Sequence, residues 1–134
     1  MTIVVLTATA ALAPAASVFA CQQTWICSVT SAVAVDEDGT VGPPDLGDRE
    51  RPTFIRVDAE KKTLTILAPE SRRDEVTKLE TVHEVAGAHV FSGMEHGRSV
   101  SLIITPEGRM TLSIVSDGVV WSVFGHALPE PATK

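Results

Sequence analysis

The run from Arg98 to Phe124 alternates apolar and polar residues in three segments, separated by the turn signals Pro106-Glu107-Gly108 and Asp117-Gly118. In a strand, successive Cβ atoms point to opposite sides of the pleat, so each alternating segment presents one apolar face. Asp-Gly between such segments favours a two-residue type I′ loop, which pairs Ser116 with Val119, Ile114 with Trp121 and Leu112 with Val123. Pro-Glu-Gly reads as a three-residue loop closed by a left-handed glycine. It pairs Thr105 with Arg109, Ile104 with Met110, Leu102 with Leu112 and Val100 with Ile114. A one-residue slip would turn the whole apolar set to the other face, so two independent turns that agree set a firm register.

The same logic extends upstream. Glu95-His96-Gly97, read as a second three-residue loop, pairs Met94 with Arg98, Ser92 with Val100, Val90 with Leu102 and Ala88 with Ile104. A two-residue Ala86-Gly87 turn then sets Val85 by Ala88, His83 by Val90, Thr81 by Ser92 and Leu79 by Met94. Val76, Leu79, Val82 and Val85 also recur at a helical spacing. Strand is the expectation there, because Leu79, Thr81, His83 and Val85 facing inward leave Lys78, Glu80 and Glu84 facing outward. Phe54 to Asp58 and Thr63 to Leu67 form another hairpin across Ala59 to Lys62, aligning Asp58 with Thr63, Val57 with Leu64 and Ile55 with Ile66. A first strand from about Thr24 to Val35 places Trp25, Cys27, Val29 and Val33 on one side. Between these lies a long acidic Gly/Pro loop, residues 36–52, and residues 127–134 form a tail.

The expected fold is all-β: a single antiparallel up-and-down meander of about eight strands. Such a meander closes edge to edge, last strand against first, into a small closed or nearly closed barrel, with a two-sheet sandwich as the alternative. The shape is similar to lipocalin-type barrels. The Gly-x-Trp of their first strand is absent, since Gln23 stands two residues before Trp25.

Residues 1–20 carry no charged side chain and end Val18-Phe19-Ala20, with small residues where a signal peptidase reads them. A secretory leader is expected, followed by one domain over residues 21–134 in a secreted, periplasmic or cell-envelope location. Cys21 would then be the first mature residue, and Val18 to Cys21 resembles a bacterial lipobox except at Phe19, so Cys21 is a candidate for lipidation. No run reaches the roughly 20 apolar residues of a spanning helix. A formal charge of −6 argues against nucleic acid, whose phosphates need a basic footprint.

Chemistry is sparse. There is no Gly-x-Ser-x-Gly and no phosphate-loop motif, and Asp36, Asp38 and Asp45 lack the spacing of a calcium loop. The expected register sets His83 inward and His89 outward. It separates His89 from His126 by three strand pairings, about 14 Å at ~4.8 Å each, too far for shared metal ligation. No enzyme, metal or cofactor is therefore expected. The interior polar set Thr81, His83 and Ser92, beside Val100 and Trp121, forms a candidate pocket for a small apolar ligand. The outward apolar residues Phe91, Ile103 and Phe124, with Val41 and Leu46 of the long loop, form a candidate protein-contact surface. An acidic module suits a basic partner. The leading expectation is a non-catalytic protein-binding domain, with apolar ligand carriage as the alternative.

Overall fold

In the computed structural model the described residues are 23–44, 46 and 50–131. The expected leader and Cys21 lie outside them. Ten strands form one antiparallel sheet: β1 Thr24–Asp36, β2 Val41–Gly42, β3 Phe54–Asp58, β4 Thr63–Ala68, β5 Val76–Lys78, β6 Thr81–Val85, β7 Ala88–Glu95, β8 Arg98–Ile104, β9 Arg109–Ser116 and β10 Val119–Pro129. One turn of 3-10 helix, Glu70–Arg72, joins β4 to β5. No described helix is long and apolar enough to cross a membrane.

The sheet order is β5-β4-β3-β1-β10-β9-β8-β7-β6, so the last strand pairs with the first and joins two sets of hairpins. The first half of β1 also pairs with β3, and Ala34 and Val35 near its end pair with β2. The sheet curls strongly into a half-barrel. Trp25 on β1 and Phe91 on β7 are four pairing steps apart, about 19 Å along a flat sheet. Their rings nevertheless meet edge to face at 5.8 Å across the interior. The core lies on this concave side, where Cys27, Val57, Phe91, Leu102, Ile104, Met110 and Val123 are almost wholly removed from water. Burial in this apolar setting pushes the Cys27 thiol up to about 12, and the thiol is free.

The two ends of the sheet order are neighbours in the chain, since only Leu79 and Glu80 separate β5 from β6. The Leu79 N–H donates to the Lys62 carbonyl at 2.8 Å, and the Glu80 N–H donates to the Ser92 carbonyl at 2.8 Å. Gly93 passes beneath this corner. A Cβ on it would stand 2.8 Å from the Lys78 carbonyl oxygen, too close for any other residue without backbone movement.

The β8–β9 and β9–β10 registers, and those of the Phe54–Ala68 and Ala86-Gly87 hairpins, are as the turns predict. At Asp117-Gly118 the register agrees, but only Gly118 takes a positive φ, so the loop is not type I′. The β7–β8 hairpin differs by one residue. His96 and Gly97, with φ of 50° and 73°, make a two-residue loop that pairs Glu95 with Arg98, Phe91 with Leu102 and His89 with Ile104. Every side chain of β7 and β6 is therefore inverted relative to the expectation. Phe91 is core rather than a protein-contact residue, and His89 stacks inside against Trp25 with ring centroids 4.7 Å apart. Thr81, His83 and Ser92 lie on the outer face, with Thr81 and Ser92 sharing a 2.6 Å hydroxyl–hydroxyl bond. Leu79 stays buried but outside β6, where it does not pair with the exposed Met94. Val33 is displaced for a related reason. A bulge at Thr30 steps the register from Val29–Gly125 to Ser31–Phe124, so Ala32 rather than Val33 packs on the core.

The observed register predicts that Phe91→Ala costs about 3–5 kcal/mol in chemical denaturation, as for other buried aromatics. His83→Ala should cost less than about 0.5 kcal/mol, as for exposed positions. The reverse ranking would contradict the His96-Gly97 turn.

Candidate functional site

β1 loses its neighbour where β3 begins. Ser28 is its last residue paired with β3, and the next amide, Val29, donates instead to the Thr53 carbonyl at 3.0 Å. Pro44 and Leu46 of the long loop cover this side of the concave face. The result is a cavity of about 690 Å³. Its volume falls within the range of about 300–1,000 Å³ typical of ligand sites. The floor is aliphatic, formed by Val29, Ile55, Leu64, Ile66, Val100, Leu112, Ile114 and Val123, with Trp121 on β10. Cross-strand pairing brings Val100, Ile114 and Trp121 into one row, and Leu112 beside Val123 into the next.

Charged residues gather at one end. Arg72 and Glu75 come from the connection between β4 and β5, and Glu95, His96 and Arg98 from the β7–β8 hairpin. Arg72 and Glu75 satisfy each other: Arg72 Nη2 donates to Glu75 Oε2 at 2.8 Å and Nε donates to the same oxygen at 3.1 Å. The hydrogen bond from Arg72, followed by the charges of Arg72 and Arg98, holds the Glu75 carboxyl below its ordinary range. Glu95 accepts the Lys78 amide at 3.3 Å through Oε2.

Deeper in the cavity wall, Thr53 is 4 % exposed, and its hydroxyl has no hydrogen-bond partner among the described residues. An unmet buried hydroxyl costs about 1–3 kcal/mol. Among the described residues no group of three or more His, Cys, Asp or Glu side chains is placed to hold a metal ion.

The cavity brings together two of the five expected ligand residues, Val100 and Trp121. Thr81, His83 and Ser92 lie on the other side of the sheet. Of the expected contact residues, Val41, Ile103 and Phe124 are exposed, whereas Leu46 is half-buried against the core and lines the cavity. Sequence reasoning missed Thr53, Arg98 and the charged end. Thr53 had a signal, since it shares parity with Ile55 and Val57 on the inward side of β3.

The outer face carries its own pattern. Directly paired residues Ser122, Ser113, Ser101, Ser92 and Thr81 form a hydroxyl ladder across five strands. Beside it runs the exposed apolar row Val41, Val35, Val120 and Val115, again each paired with the next.

Thr53→Val keeps the side-chain shape and removes the unmet hydroxyl. Ligand-free protein should therefore gain about 1 kcal/mol in chemical denaturation, whereas a comparable loss would mean that the hydroxyl is already satisfied. No protein-family model matches this chain, and no curated protein sequence matches it.

Proposed function

We propose that this chain is a non-catalytic β-domain that holds a small apolar ligand in the hollow of its half-barrel. One observation carries the reading: the cavity with its aliphatic floor and Trp121, charged at one end. A core designed only for packing fills such a space, because interiors reach crystal-like density. Closure of the half-barrel along the β5–β6 corner belongs to the same proposal. The hydrogen bonds of Leu79 and Glu80 to either side, and the close approach over Gly93, support it. A closed wall keeps an apolar guest out of water on every side but the mouth. A secreted or cell-envelope setting rests on the composition of residues 1–20.

Decanol is a suitable neutral probe. Its titration should change Trp121 emission saturably, Trp121→Phe should abolish the optical signal, and calorimetry should still detect binding to that variant. Silence in both measurements would end the ligand reading.

A second reading, docking of a protein partner on the outer face, is favoured by the row Val41, Val35, Val120 and Val115, whose members are 39–63 % exposed. A basic partner suits the acidic chain. Pull-down from an envelope extract with wild type and with the double variant Val115→Lys, Val120→Lys should show a captured species that the variant loses. Identical capture by both proteins would exclude that row.

A further inference from the structure

We infer that the preferred guest is an amphipathic monoanion, an apolar tail with a carboxylate head that pairs with Arg98 at the charged end of the cavity. This deepens the ligand reading above and rests on it. Most of the polar groups that line the space already have partners. Arg72 already spends its guanidinium on Glu75 through Nε and Nη2. Glu75 is the other half of that pair, and Glu95 is drawn to the Lys78 amide. Arg98 stands opposite Glu95 in the register of the hairpin and its charge acts on Glu75, yet it is not hydrogen-bonded or salt-bridged to either carboxylate, since Glu75 is bridged by Arg72. It is exposed at the first position of β8, while Val100, two residues along the same face, is buried in the floor.

The inward parity of β8 therefore runs from a solvated guanidinium directly onto aliphatic lining. That gradient is the one an amphiphile needs: tail against Val100, Ile114 and Trp121, head in water beside Arg98. A guanidinium offers a planar fork of donors that matches both oxygens of a carboxylate, which a neutral alcohol cannot reproduce. Glu75 and Glu95 also line this end, so a cationic amphiphile is the rival head group. Each of those carboxylates already accepts a hydrogen bond from the protein, whereas Arg98 donates none to a described residue.

The test compares decanoate, decanol and decylamine by calorimetry at neutral pH and low salt, on wild type, Arg98→Gln and Arg98→Lys. Wild type should bind decanoate about tenfold more tightly than decanol, in line with a charge-assisted pair at a partly exposed site. That preference should shrink with added salt. Arg98→Gln should lose the preference, with an unchanged denaturation midpoint showing that the variant is folded, and Arg98→Lys should keep part of it. Equal affinity for decanoate and decanol in wild type, or tighter binding of decylamine, would overturn the anionic head group and leave the apolar cavity standing. Failure of all three probes to bind would overturn both readings.

Discussion

The antiparallel pairing of β1 with β10 is the constraint on which the molecule rests. On one side of it hang β3, β4 and β5, and on the other β9, β8, β7 and β6, so the two hairpin sets share a sheet only through this seam. The seam also carries a bulge. Thr30 is an extra residue on β1, its hydroxyl donating to the Phe124 carbonyl at 3.1 Å, and a bulge of this kind bends its strand and adds twist. Trp25, on the same strand, reaches His89 and Phe91 on a strand far along the curled sheet.

The cavity follows from the same strand. β1 is thirteen residues long, while β3 covers only its beginning and β2 only two residues near its end. The stretch between has no strand on the side away from β10, and the wall there is completed by Thr53, Pro44 and Leu46. Thr53, whose hydroxyl has no partner among the described residues, lies in this irregular stretch just before β3.

Much of the fold was legible because alternation and turn chemistry speak independently and agreed. Pro106-Glu107-Gly108 set β8 against β9 correctly, and Ala59 to Lys62 did the same for β3 and β4. The failure at β7 came from one ambiguous loop. Glu95-His96-Gly97 and His96-Gly97 are both acceptable hairpin connections, and histidine tolerates the left-handed region that the shorter one demands. Burial would have arbitrated, since the longer loop leaves Phe91 in water and puts His83 in the core. The error then spread to the candidate site, because Thr81, His83 and Ser92 inherited the wrong face. Val100 and Trp121 survived since their register depends on the other two turns. Arg98 was not legible as a site residue at all: nothing in local alternation reveals that its side of β8 borders a hollow built by β3, β4 and the long loop.

The two ends of the strand order are small. β5 has three residues and β6 five, and Lys78 and Glu84 on them are exposed. A foreign strand that tried to extend the sheet would find only a few free amides and carbonyls, flanked by ions whose hydration it must strip. Copies of the chain therefore find little backbone at these two ends to grip on one another.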